Sequence, residues 1–175
     1  PETFTFEKRG RTALFTINRP EAMNAFTAEM LRAMDAAFVE FNDDDELLVA
    51  ILTGAGEKCF SSGMDLKEAI PMLQSGDEMG YEDHTKRPFS DVFKPIIAAV
   101  NGHCIAGGME FMQGTDIRIA AEHATFGLGE VRWGIIPTGG SHVRLPRQIP
   151  WAVAMEMLLI GRPIDAARAY DIGLV

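Results

Sequence analysis

Two apolar runs of strand length, Leu47 to Thr53 and Ile96 to Val100, constrain the fold of this chain more than any other feature. Neither alternates cleanly with polar residues, so both suit strands covered on two faces. Each leads through a glycine-bearing turn toward a helix. Ile117–Ala120 and Thr125-Phe126 repeat the pattern, and helical spacing follows around Val153 to Ile160 and Asp165 to Tyr170. Strands alternating with helices predict an α/β domain. Upstream, Thr3–Lys8 and Ala13–Ile17 flank Arg9-Gly10 and predict an antiparallel hairpin. Thr27 is the expected N-cap of a helix whose apolar residues Met30, Leu31, Met34, Phe38 and Phe41 recur at helical spacing. The acidic run Asp43-Asp44-Asp45-Glu46 then reads as a solvated turn rather than a metal site.

With 175 residues, 47% of them hydrophobic, the chain can bury one core, and residues 1–175 are expected to form one domain. No apolar run approaches the roughly 20 residues that span a bilayer, and Pro1-Glu2-Thr3-Phe4 lacks the basic and apolar pattern of a leader. A soluble, cytoplasmic protein is expected, with no membrane partner. Cys59 and Cys104, each beside apolar residues, are expected as free buried thiols. A net charge of −9 without a stripe of Lys and Arg argues against nucleic acid. A polyanionic ligand would instead depend on local cations such as Arg19, Lys58 and Lys67, or on helix N-termini. The stretch from Ile70 to Pro95 is the least regular and is expected to be partly helical, its methionines either filling core or lining an adaptable pocket.

Three segments depart from ordinary core. In Lys58 to Glu68, a turn follows a buried strand and a helix begins near Asp65; Gly63 permits close approach, and the Met64 N–H would point outward. A routine turn capped by Asp65 fits the same residues. In Asn101 to Phe111, Gly107-Gly108 at a helix entrance leaves N–H groups uncovered, or else lets the helix pack tightly on the sheet. Two such N–H groups converging on one oxygen would form an oxyanion hole. In Phe126 to Val131, Glu130 follows two glycines at another helix start, where it and Glu110 serve either as dipole partners or as an acid/base pair.

Taken in order, these segments resemble the crotonase superfamily, the enoyl-CoA hydratase/isomerase family. Asn18-Arg19-Pro20 through Asn24-Ala25 resembles its "NRP…NA" element, Ser62-Gly63-Met64-Asp65-Leu66 its "AG(A/G)D" turn, and Ala99-Val100-Asn101-Gly102 with Ala106-Gly107-Gly108-Met109-Glu110 its "AxxNG…GGGxE" element. Phe126 to Glu130 is similar to "F(G/A)xPE", Gly134 to Pro137 to "GxxP", and Gly161 to Val175 to "G…ASxAxxxGLV". The resemblance implies a spiral of repeated ββα units and an acyl-CoA thioester substrate whose coenzyme A makes any further cofactor or metal unnecessary. It implies an oxyanion hole from the N–H groups of Met64 and Gly107, catalysis by Glu110 and Glu130, and substrate contacts from Ala22, Met23, Met64, Asp65, Leu66, Lys67 and Gly107. It also implies a homotrimer or dimer of trimers, and the trimer-forming C-terminal helices of the family are expected to be absent from residues 1–175.

The sequence departs from that pattern at Met64, where a small residue is usual, and at Gly129, where proline is usual. Gly139-Gly140 and Ser141-His142 are shifted against the commonest version and receive no role. Both glutamates favour an enoyl-CoA hydratase of fatty acid metabolism over an isomerase. A hydroxyacyl-CoA dehydratase acting on carnitinyl-CoA-like substrates is the close variant, and a non-catalytic RNA-binding or scaffold member of the fold is the alternative of another class. The acyl group is expected to meet Met64, Met72, Met109 and Trp133.

Overall fold

A computed structural model describes residues 2–75 and 87–175, apart from the side chains of residues 72–74. The side chain of Met72, expected above near the acyl group, and the whole of Met79, another methionine of the irregular stretch, lie outside the described residues. The chain opens with the predicted hairpin, β1 (Phe4–Arg9) and β2 (Thr12–Ile17). Helix α1 (Ala28–Asp43) follows, and the Thr27 hydroxyl accepts the Met30 N–H at 3.1 Å as the expected cap. Its buried face carries the five apolar residues picked out by spacing, and Phe38 stacks on Phe15 of β2 at 4.1 Å between centroids. Beyond it, Asp44 pairs with Lys8 at 2.9 Å, while Lys94 reaches the carbonyls of Phe41 and Asp44 to close the helix end.

Thereafter the chain winds in repeats. β3 (Val49–Gly54), β4 (Cys59–Ser61) and α2 (Leu66–Ser75) form one; β5 (Ile96–Val100), β6 (His103–Ile105) and α3 (Gly107–Gln113) form the next. β7 (Ile117–Ala120) and β8 (Thr125–Gly127) begin a third, which continues through a 3-10 turn at Glu130–Trp133 into α4 (Ser141–Gln148) and α5 (Trp151–Ile160). β9 (Ile164–Asp165) and α6 (Ala166–Asp171) complete the described chain. The first strand of each repeat joins a sheet in the order β1-β2-β3-β5-β7, and the second joins another in the order β4-β6-β8-β9. Pairing is parallel except in β1/β2 and β8/β9. This is the α/β spiral of ββα units.

Three expectations need correction. The apolar runs are not buried on both faces: β3 and β5 alternate buried and half-buried residues, and Ile117 and Ile119 of β7 are exposed. The glycine-bearing turns lead into β4 and β6 before any helix; three-residue strands carry too little pattern to read, and their neighbours define them. Helix α4 was not anticipated because Pro146 interrupts a polar sequence.

Cys59 and Cys104 are free and buried, as expected. Burial pushes the Cys59 thiol up to about 11 and raises Cys104 well above its ordinary range, which disfavours the reactive thiolate in both. Among the described residues no helix is long and apolar enough to cross a membrane.

Candidate active site

The turn between β4 and α2 meets the turn between β6 and α3 glycine against glycine. Gly63 has φ +89°, and a Cβ placed on it would lie 2.7 Å from the Gly107 nitrogen and 3.0 Å from the Ala106 Cβ. A Cβ on Gly107 would stand 3.3 Å from the Gly63 Cα and 3.6 Å from the Met64 nitrogen. A side chain at Gly63 would collide with the facing backbone at a strained φ, which explains glycine there, while Gly107 makes a tight but less restrictive contact.

The orientation of each N–H follows from its neighbours. Phe26 bridges to Met64: the Phe26 N–H donates to the Gly63 carbonyl and the Asp65 N–H to the Phe26 carbonyl, each at 2.8 Å. Alternation along an extended chain therefore turns the Met64 N–H away from Phe26. Gly107 is the first residue of α3, so its N–H has no intrahelical acceptor. Ala106 before it holds φ +50°, ψ −123°, anchored by its N–H to the Gly127 carbonyl at 2.8 Å. Among the described residues no acceptor takes either N–H. The structure thus brings the two candidate oxyanion donors to one place and leaves both available.

The other contact candidates gather beside them. The Ser62 N–H donates to the Met23 carbonyl at 3.1 Å, joining the loop of Ala22 and Met23 to the strip Met64-Asp65-Leu66-Lys67. Arg19 secures this junction from below: its Nη1 lies 2.8 Å from Asp65 Oδ2 and donates to the Ala25 carbonyl at 3.2 Å. The Arg19 guanidinium and, secondarily, the Lys67 N–H hold the Asp65 carboxyl below the usual carboxylate range. Arg19 is therefore engaged within the protein through Nη1. Lys58 and Lys67 are exposed. Lys58 borders an open cleft of about 360 Å³ whose walls include Pro20, Asn24 and Gly56.

The two glutamates differ in their hydrogen-bond partners. Glu110, on α3 and 6% exposed, accepts the Gly139 N–H on Oε2 at 2.9 Å and the Ser141 N–H on Oε1 at 3.1 Å. Both donors lie at the entrance of α4, where the helix dipole favours negative charge. Glu130 is 8% exposed in its 3-10 turn, and its Oε2 has no hydrogen-bond partner among the described residues. Burial pushes the Glu130 carboxyl up to about 7; its own backbone N–H opposes this, and the nearby Glu110 charge adds to it. One carboxylate is fixed by donors while the other sits poised between acid and base.

Gly139 and Ser141 are partners of Glu110 that the sequence did not reveal, although a Gly-Gly-Ser run was the available signal. A Cβ on Gly139 would stand 2.6 Å from Glu110 Oε2 and 2.8 Å from its carboxyl carbon. Gly139→Ala is expected to dislodge that carboxylate and lower stability by about 1–3 kcal/mol, as overpacking does, with thermal unfolding as the measurement. The expected acyl surroundings also need revision: Met109 is fully buried in the core and Trp133 is 76% exposed, so neither walls an enclosed pocket in this chain.

A family model for enoyl-CoA hydratase/isomerase matches residues 7–175. The chain belongs to the enoyl-CoA hydratase/isomerase family. It is 46% identical to enoyl-CoA hydratase EchA19 of Mycobacterium tuberculosis over 97% of its own length and 65% of that relative's. It is 41% identical to a carnitinyl-CoA dehydratase of Citrobacter koseri over 99% of the chain and 67% of the relative. Among solved structures, a carnitinyl-CoA dehydratase from Mycobacterium avium superimposes with a TM-score of 0.90 at 39% identity, covering 100% of this chain and 69% of that one. An enoyl-CoA hydratase from M. tuberculosis gives 0.87 at 41% identity, covering 99% and 67%. The chain thus spans about two thirds of the length of these family members.

Proposed function

We propose that the protein containing this chain is an enoyl-CoA hydratase, adding water reversibly across the double bond of a 2-enoyl-CoA thioester. The observation that carries the proposal is the pair of buried carboxyl groups in different settings, Glu110 held by two N–H donors and Glu130 raised to about 7. In this mechanism the Met64 and Gly107 N–H groups receive the thioester oxygen as it gains charge, which lowers the barrier to an enolate. Glu110 takes a proton from water as the water oxygen bonds to the β-carbon; Glu130, protonated, delivers a proton to the α-carbon. Product release and proton exchange restore the starting pair. Ala22, Met23, Asp65, Leu66 and Lys67 would line the path of the coenzyme A portion, and no other cofactor takes part.

A dehydratase of carnitinyl-CoA-like hydroxyacyl esters is the second reading, favoured by the 41% identity to such an enzyme; it runs the same steps in reverse. The assembly is proposed to be a homotrimer or dimer of trimers in the cytoplasm. Exposed Val131, Trp133, Ile136, Trp151 and Leu159 supply apolar surface for contacts between copies.

The test mixes the complete protein with a short 2-enoyl-CoA and follows the absorbance of the conjugated thioester. A decay that scales with enzyme concentration is expected, together with calorimetric binding of a saturated acyl-CoA, which needs only the oxyanion donors and coenzyme A contacts. Stable absorbance with every 2-enoyl-CoA tried would sink the hydratase reading.

A further inference from the structure

We propose that Gln113 is a positioning residue for Glu110: it fixes the backbone donors that hold the Glu110 carboxylate and, through them, the activated water. The catalytic consequence rests on the hydratase reading. Glu110 and Gln113 lie three residues apart on α3 and share a face. The Glu110 carboxylate is held from across the site, by the N–H groups of Gly139 and Ser141. Those donors belong to a helix entrance with no side-chain cap of its own, where Gly140 stands at φ +114°. Gln113 supplies an anchor there. Its Nε2 donates to the Ser141 Oγ at 3.0 Å, and its backbone carbonyl accepts from Gln148 Nε2 at 2.9 Å. Both ends of α4 are therefore attached to one residue of α3.

Gln113 is 2% exposed and Ser141 fully buried, so water does not replace this bond when it is lost. Stability alone does not require an amide at this position. Gln113 leaves its Oε1 without a partner among the described residues, a cost that an apolar side chain of similar size avoids. A buried amide retained despite that cost, and bonded to the residue whose N–H meets Glu110, serves alignment.

The test uses Gln113→Leu in the complete protein, which keeps bulk and removes the donor. The expected result is a fall in kcat for hydration of about tenfold, with KM and the binding of a saturated acyl-CoA unchanged. Hydrogen exchange at the Ser141 amide should accelerate. In a Glu110→Gln background the same substitution should produce no further loss, because its effect passes through that carboxylate. Ser141→Ala, which deletes the acceptor, should reproduce the fall, and Ser141→Thr should restore the rate; these variants decide the matter if Gln113→Leu does not fold. Equal losses in both backgrounds, unaltered Ser141 exchange, or full activity in Ser141→Ala each overturn the proposal. A wild-type protein without hydratase activity overturns the functional reading instead, and Ser141 exchange alone then decides whether Gln113 holds the donor.

Discussion

Glu130→Gln is expected to slow hydration by about a hundredfold to ten-thousandfold, the usual consequence of losing a general acid or base, while making the protein more stable above pH 7. The two effects share one cause. Burial lifts the Glu130 carboxyl from an ordinary 4.5 to about 7. Below pH 4.5 the group is neutral in both folded and unfolded chains and contributes no penalty. Between pH 4.5 and 7 the unfolded chain releases its proton while the folded chain retains it, so stability falls as pH rises; above 7 the penalty is complete. The difference between the two values corresponds to roughly 3 kcal/mol. Glutamine never ionises, so the variant should melt higher than wild type at pH 8 and about level with it near pH 4.5. Parallel melting curves at the two pH values, with initial hydration rates, test both halves. Near-wild-type hydration would remove Glu130 from the mechanism, and a pH-independent difference in melting would refute the buried-carboxyl argument.

Gly63→Ala is expected to cost about a hundredfold to a thousandfold in kcat, the scale of losing an oxyanion donor. At φ +89° an L-residue is strained, and the added methyl would meet the Gly107 nitrogen at 2.7 Å. Either the turn before α2 or the turn before α3 must shift, and the donors separate. Gly129→Ala provides the control within the same site region: its φ of −88° suits any residue, and nothing lies within 4 Å of the added carbon. It should stay within about 0.5 kcal/mol of wild type and keep its activity. Comparable losses in both variants would show that the rate depends on general backbone freedom rather than on the Gly63 contact.

Much of this architecture was legible in the sequence because it rests on local rules. The hairpin, α1 with its Thr27 cap, and the glycine turns beside Met64 and Gly107 are each specified within a few neighbouring residues. Both glutamates were visible as candidates, and the ordered motifs around them identified the family. What the sequence concealed depends on residues distant along the chain. Glu110 takes its hydrogen-bond partners from Gly139 and Ser141 on the far side of a whole ββ repeat. The Arg19 pairing with Asp65 at 2.8 Å joins residues 46 positions apart. β4 and β6 become strands only through register with each other and with β8. Alternation in β3 and β5 was masked because apolar residues also occupy the half-buried face.

The glycine-against-glycine contact also bears on how such a chain can change over generations. Under the proposed mechanism the donors of Met64 and Gly107 belong to the main chain, and their spacing is set by Gly63 and Gly107, not by the Met64 side chain. Replacing Met64 by a residue of another size would reshape the space offered to the acyl group while the N–H stays where Phe26 pairing puts it. Substrate preference can therefore drift one side chain at a time along viable intermediates, whereas Gly63 admits almost no variation. A single scaffold of this kind can diversify its substrates without first losing its chemistry.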